Sequence, residues 1–193
     1  MKSDIILGGV GGQGILSIAA AIGLAALKNN LQLKQSEVHG MSQRGGDVQS
    51  HLRISSKPIA SDLIPKGKAD LIISVEPMEG LRYLPFLSKD GWLVTNTTPF
   101  NNITDYPNID DIMNQIKSFP NHIAIDADSI AKAAGSSRSS NIVMLGAASP
   151  FIDIPYERLE DGIRQLFGKK GEELVNTNLK ALKAGREFTE KNR

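Results

Sequence analysis

The stretch Asp4-Ile-Ile-Leu-Gly-Gly-Val-Gly-Gly-Gln-Gly-Ile-Leu16 constrains this chain more than any other part of it. Three apolar residues, Ile5 to Leu7, run straight into glycines, and a helical run, Ile15 to Leu27, follows at once. Gly9, Gly11 and Gly14 fit G-x-G-x-x-G in strand–turn–helix context, the context that the motif requires. In such a motif the first glycine makes a tight turn, the second lets backbone approach a phosphate, and the third lets helix pack close to strand. The helix N-terminus then offers free N–H groups to an anion. Gly12 removes a further side chain from the turn, which leaves Gln13 as its one long polar group, able to donate or accept. Glycine-rich first turns also occur in α/β proteins that bind nothing, so the glycines leave a phosphate site and a bare turn both open. The ribose-binding acid of a dinucleotide fold, expected about 20 residues on, would be Glu37.

Glu37 leads into a second unusual stretch, His39-Gly-Met-Ser-Gln-Arg-Gly-Gly46. Its glycines free the backbone, while Gln43 and Arg44 supply donors. Loops at the carboxyl ends of neighbouring strands line one crevice of an open parallel sheet. If the first two strands pair, Gln13 faces the Glu37 to Gly46 loop. Arg44 then either makes a bidentate pair with a phosphate or carboxylate or braces its own loop. His39 reads as a surface or packing residue. His51 and Arg53 alternate along a strand, the pattern of a solvated or interface face. Asp126 and Asp128 sit at a strand end, spaced like weak metal ligands, with helix N-capping by Asp128 as the favoured reading. No Ser-His-Asp order, His-x-x-x-His pair or close carboxylate pair stands out, so the chain lacks a self-sufficient catalytic apparatus, as a subunit would.

The rest of the chain alternates strands and helices. Leu31 to Glu37 and Val48 to Ser55 read as strands by period-two alternation. Ala69 to Val75 is the continuous apolar strand of a sheet covered on both faces. Pro77 suits the first turn of a helix that Pro85 must end or kink. Gly91 to Asn96 and His122 to Asp126 are further strands. Helices are expected over Ile109 to Ile116, Asp128 to Ala134 and Asn141 to Ala148, the last with a β-branched start that leaves strand open, and two more close the chain. The expectation is a single α/β domain over residues 1–193, a Rossmann-like open, mostly parallel sheet with helices on both faces and helices at its C-terminal end.

Composition narrows the function classes. Of 193 residues 40% are hydrophobic and 22% charged, with a net charge of +1, so there is no electrostatic case for nucleic acid or acidic membrane as partner. The chain has no cysteine, which removes disulfides, thiolate zinc sites and cysteine-ligated iron–sulfur clusters from it and fits a reducing, cytoplasmic location. Met1-Lys-Ser-Asp4 opens a strand rather than a signal peptide, and no apolar run approaches the ~20 residues of a membrane span.

Taken together, Gly9-Val-Gly-Gly-Gln-Gly-Ile15, Glu37-Val-His-Gly-Met-Ser-Gln-Arg-Gly-Gly46 and Ser50-His-Leu-Arg53 resemble the gamma-type domain of 2-oxoacid:ferredoxin oxidoreductases, and most of all its indolepyruvate branch. Pyruvate-type members tend to carry a proline, an acid and paired arginines where this chain has Met41-Ser-Gln-Arg44. Asn141-Ile-Val-Met-Leu-Gly-Ala147, and Asn178 with Ala181 and Gly185, fit the later part of the pattern, so the resemblance covers nearly the whole chain. It implies the small subunit of an enzyme that oxidatively decarboxylates an aryl 2-oxoacid. Thiamine diphosphate forms the adduct, iron–sulfur clusters pass electrons singly to ferredoxin, and coenzyme A accepts the acyl group. A large partner subunit is then expected to carry the diphosphate and the clusters. Contact with coenzyme A or with that partner falls to Gly9, Gly11, Gly12, Gln13 and Gly14 and to Ser42, Gln43, Arg44, Gly45 and Gly46, with no catalytic residue and no metal ligand on this chain. The alternative is a stand-alone dinucleotide-binding or regulatory module.

Overall fold

The computed structural model describes residues 1–39, 45–101 and 103–193, His39 in its backbone alone. The opening strand β1 (Lys2–Val10) is longer than its three-residue apolar centre, because a neighbour pairs along its whole length, from Lys2 opposite Ser55 to Val10 opposite Asp47. Helix α1 (Ile15–Lys28) ends where Asn30 turns left-handed at φ 56° and the Leu31 N–H bonds back to the Ala26 carbonyl at 3.0 Å. Strands β2 (Gln32–His39), β3 (Asp47–Ser55) and β4 (Ala69–Ser74) follow. Helix α2 (Pro77–Arg82) starts on its proline and gives way to a 3-10 turn at Leu84–Phe86, where Pro85 removes a helical N–H. Then come β5 (Leu87–Asn96), α3 (Ile109–Lys117), β6 (His122–Ile125), α4 (Ala127–Ala133), α5 (Ser140–Ala148), α6 (Tyr156–Phe167) and α7 (Glu172–Asn192).

The sheet order is β2-β3-β1-β4-β5-β6. Strand β3 is antiparallel to both neighbours, while the β1–β4, β4–β5 and β5–β6 pairs are parallel, so five of the six strands point the same way. The expected open, mostly parallel α/β sheet is what forms. Its central strands are apolar on both sides because both faces are covered: Ile5, Leu7, Leu71 and Ile73 pack into a layer with α1 and α4 to α7, and Ile6, Ile72 and Leu93 into one with Tyr83 and α3. Helices α5 and α7 touch backbone to backbone. A Cβ on Gly146 would lie 2.0 Å from the Leu182 carbonyl oxygen, and one on Gly185 2.0 Å from that of Val143. That contact is the physical reason for glycine at both positions.

Two expectations about β3 are corrected. The face of His51 and Arg53 is not a solvated one, since His51 is buried and the Arg53 side chain is 18% exposed. The Arg53 guanidinium makes a two-point pair with the buried Asp4 carboxylate, Nε at 2.7 Å and Nη2 at 3.0 Å, and its Nη1 donates to the Ser61 and Leu63 carbonyls. Burial alone would raise the Asp4 carboxyl, but the bonds from Arg53 and Lys2 outweigh it and hold it below the usual range. His51 is 5% exposed and accepts the Ile64 N–H on Nδ1 at 2.9 Å. Alternation misleads here because the segment before β4 folds back over this face and supplies polar partners. At β6 the N-cap of α4 is Asp126, whose carboxylate accepts from the Ser129 N–H at 3.0 Å, and Asp128 is left for another task.

Candidate functional site

The carboxyl ends of β1, β4, β5 and β6 lie on one edge of the sheet. The connections diverge between β1 and β4: α1 leads away toward β2, α2 toward β5. That is the place in an open α/β sheet where ligands sit.

The glycine turn is built there from local bonds. The Gln13 Oε1 accepts the Val10 N–H at 2.8 Å, and the Gln13 N–H returns to the Val10 carbonyl at 3.1 Å. Gly12 has φ 101° with open space around it, and Gly14, the N-cap of α1, has φ 81°, a conformation that side chains disfavour. No side chain caps α1, and its first turn holds no acid. Asn141 at the start of α5 donates through Nδ2 to the Gly14 carbonyl at 3.0 Å, tying turn to helix.

The two sequence stretches meet, by a route other than the expected one. Strands β1 and β2 do not pair, since β3 lies between them. The loop ending in Gly45 and Gly46 returns through β3 to the turn: the Gly11 N–H donates to the Gly46 carbonyl at 2.8 Å, and the Gly45 N–H approaches the Gly11 carbonyl at 3.5 Å. The Gly11 amide is thereby engaged inside the protein, so close approach of a phosphate to that N–H is not its role here. Glu37 stands on the edge strand, two strands from β1 and not beside the turn as a dinucleotide fold requires. Of the proposed site residues, Gly9, Gly11, Gly12, Gln13, Gly14, Gly45 and Gly46 come together. Ser42, Gln43 and Arg44 lie outside the described residues, as does the side chain of His39.

Clefts converge on the turn. One of about 230 Å³ runs between Gln13, Val75, Asn96, Phe100, Asp128 and Ser140. Asn96, 4% exposed, donates to Asp128 Oδ2 at 2.9 Å and accepts the Ala127 N–H at 3.1 Å, which fixes the Asp128 carboxylate at the cleft wall. A second, of about 270 Å³, is mainly apolar and runs from Val10 and Val48 past Gly11 and Gly12 to the exposed Leu16. Asn96 was not legible as a site residue, because a lone asparagine at a strand end is ordinary turn chemistry.

Glu76 is likewise new. It is fully buried, and its carboxylate accepts the N–H of Glu79 at 2.9 Å, the N–H of Phe100 at 3.3 Å and the hydroxyl of Tyr106. It caps α2 and pins the segment after β5 that carries Phe100 to the cleft; burial and this carboxylate push the Tyr106 phenol far up. A glutamate between an apolar strand and a proline was the available sign. Next to it, burial raises the Glu79 carboxyl although Arg82 donates to it at 2.8 Å.

Among the described residues no group of three or more potential ligands is placed to hold a metal ion, and no helix is long and apolar enough to cross a membrane.

A family model for pyruvate ferredoxin/flavodoxin oxidoreductase matches residues 4–188. The chain is 37% identical over 194 residues to the indolepyruvate oxidoreductase subunit IorB of Archaeoglobus fulgidus, covering 96% of this chain and 94% of that one. It is also 37% identical over 192 residues to the subunit of the same name from Methanothermobacter thermautotrophicus, covering 96% of each. In fold it matches the gamma subunit of a keto/oxoacid ferredoxin oxidoreductase from Geobacter sulfurreducens, with a TM-score of 0.71 at 24% identity over 98% of this chain and 99% of that one. It also matches the 2-oxoglutarate:ferredoxin oxidoreductase from Magnetococcus marinus with 2-oxoglutarate, coenzyme A and succinyl-CoA bound, with a TM-score of 0.78 at 24% identity. All of this chain is covered there, but only 32% of that longer one.

Proposed function

The chain belongs to the pyruvate ferredoxin/flavodoxin oxidoreductase family, and from that premise we propose that it is the small subunit of an indolepyruvate-type enzyme. One observation carries the reading: 37% identity to an indolepyruvate oxidoreductase subunit across nearly the full length of both chains. The complex converts an aryl 2-oxoacid to its acyl-coenzyme A with loss of carbon dioxide and transfer of electrons, one at a time, to ferredoxin. The large partner subunit holds the thiamine diphosphate and the clusters, since a chain without cysteine has no thiolate to ligate iron.

This chain's part is to bind and orient. Coenzyme A supplies the thiol that takes up the acyl group. The residues that would hold its phosphates are Gly12, Gln13 and Gly14, together with Ser42, Gln43, Arg44 and Gly45. The donor set fits an anion: the N-terminus of α1 carries no side-chain cap, Gly12 leaves space above it, and Gln13 has its NH2 to offer once its oxygen is engaged by Val10. The Gly11–Gly46 bond joins the two loops into one wall, so a ligand or partner surface meets them together.

The test is the viologen-coupled oxidation of indolepyruvate, pyruvate and 2-oxoglutarate by the co-expressed pair. Coenzyme A-dependent turnover fastest on the aryl substrate is expected. Preference for pyruvate or 2-oxoglutarate would overturn the substrate assignment, and substantial turnover by this chain alone would overturn the subunit role.

A further inference from the structure

The connection from β3 to β4, residues 56–68, contains no helix or strand and folds back over β3 on the face of the sheet that carries α2 and α3. Ile64 is its one buried residue, 2% exposed, and packs into the layer of Ile6, Ile72 and Tyr83. A segment without secondary structure must still satisfy its backbone groups. Here side chains of β2 and β3 do so. Lys34 Nζ donates to the Ala60 carbonyl at 3.1 Å, Arg53 Nη1 donates to the Ser61 and Leu63 carbonyls at 3.0 Å each, and His51 Nδ1 accepts the Ile64 N–H at 2.9 Å. Lys34 lies opposite Arg53 across the strand pair and His51 is two residues from Arg53, so the three stand as posts on one face of the sheet. Both ends of the connection are tied separately. The Ser56 N–H donates to the Met1 carbonyl at 3.0 Å, and the N–H of Gly67, at φ 71°, donates to the Pro85 carbonyl at 2.9 Å.

Of the three posts, His51 is the one whose residue type changes charge between pH 5 and 8. Its Nδ1 is bare while it accepts from Ile64. A proton there takes the lone pair, so two N–H groups face each other and the bond is gone. Burial is the largest influence on the ring and opposes its charged form. Asp62, on the connection itself, favours that form, and Arg53, paired with Asp4, opposes it; the net effect is a pKa below the usual 6.5. Two uncharged groups complete the surroundings, the Gln49 amide 3.0 Å from Nε2 and the Phe86 ring, edge-on at 5.2 Å.

We propose that residues 59–64 are a strap that lifts from β3 when His51 takes up a proton at Nδ1, while the sheet beneath stays folded. Lifting breaks the Ile64 bond and withdraws the Ile64 side chain from Ile6 and Ile72. An apolar patch on that face is then open in acid and covered at neutral pH. The ties at Ser56 and Gly67 stay made and act as hinges. The sign follows from linkage. The closed form binds the proton less tightly than the open one, so closure is fully favoured above pH 6.5 and is lost as pH falls through the closed-form value.

The experiment is amide hydrogen exchange on the full chain, read by two-dimensional NMR from pH 7.5 to 5.0. Rates are corrected for the intrinsic pH dependence of exchange, and the His51 ring protons are followed in the same samples. Protection of the Leu63 and Ile64 amides should fall roughly tenfold per pH unit below 6.5, the effect of one proton bound by the open form, and level off where the ring titrates in the closed chain. Protection in β1, β4 and β5 should change less than twofold. In His51→Asn, which keeps an acceptor and does not titrate, the strap amides should hold the same protection across the range. Equal strap protection at both ends of the range, a loss shared by the central strands, a fall that continues past the ring titration, or the same fall in His51→Asn overturns the strap. If His51→Asn does not fold, the match between strap opening and ring titration in the wild-type chain decides alone.

Discussion

Gln13 reaches back along its own turn to accept the Val10 N–H on Oε1 at 2.8 Å. The bond divides the side chain between two tasks, because the oxygen closes the turn and the NH2 is left for the clefts that Gln13 lines. Gln13→Glu keeps the acceptor, deletes the donor and puts a negative charge where an anion is proposed to bind. Stability should change by less than about 0.5 kcal/mol, while the KM for coenzyme A in the complex rises roughly tenfold or more, the worth of one charge-assisted hydrogen bond. An unchanged coenzyme A dependence would reduce Gln13 to a turn clamp.

Gly14 combines a left-handed backbone with close contact. A Cβ there would lie 2.5 Å from Asn141 Nδ2, whereas one on Gly12, also at positive φ, would meet nothing within 4 Å. Gly14→Ala should therefore destabilise the chain by more than the ~1–2 kcal/mol of the left-handed conformation alone, and Gly12→Ala by no more than that. Denaturant titration of the two variants checks the order, and equal losses would mean that Asn141 yields freely.

His51 predicts a pH dependence. Burial depresses its pKa below the usual 6.5, and its Nδ1 must stay unprotonated to accept from Ile64. A base with a depressed folded pKa contributes stability that is fully present above pH 6.5 and is lost as pH falls through the folded value, since there the unfolded chain binds the proton first. Melting temperature should fall between pH 7.5 and 5.5 more steeply in the wild type than in His51→Asn, whose side-chain oxygen keeps the acceptor without titrating. Parallel profiles would rule the histidine out as the cause.

Arg44, which lies outside the described residues, is a forked donor in a glycine-flanked loop. Arg44→Lys keeps the charge and loses the fork, so a bidentate contact should weaken by about tenfold or more. A raised KM for coenzyme A with intact assembly marks a ligand contact, weakened association with an unchanged KM marks a subunit contact, and neither effect marks an arginine that braces its own loop.

The frame of this fold was legible because it rests on periodicity and punctuation. The apolar run at Ala69 to Val75 and the helix from Ile15 to Lys28 announce themselves, the latter by glycines before and asparagines after. What was not legible depends on partners distant in the chain. Strand β3 inserts beside β1, which no local pattern states, and it moves Glu37 away from the turn. Arg53 looks like a surface residue until Asp4, 49 positions earlier, closes on it. Asn96 and Glu76 act through Asp128, Phe100 and Tyr106, contacts that exist only once the carboxyl ends of the strands are assembled.

The most direct test of the central claim is an add-back titration: the large subunit at fixed concentration, increasing amounts of this chain, and coenzyme A-dependent indolepyruvate oxidation as the readout. The account predicts no coenzyme A-dependent turnover by either chain alone and a rise that saturates at one copy of this chain per large subunit. Full turnover by the large subunit without it, or no association at any ratio, would contradict the claim.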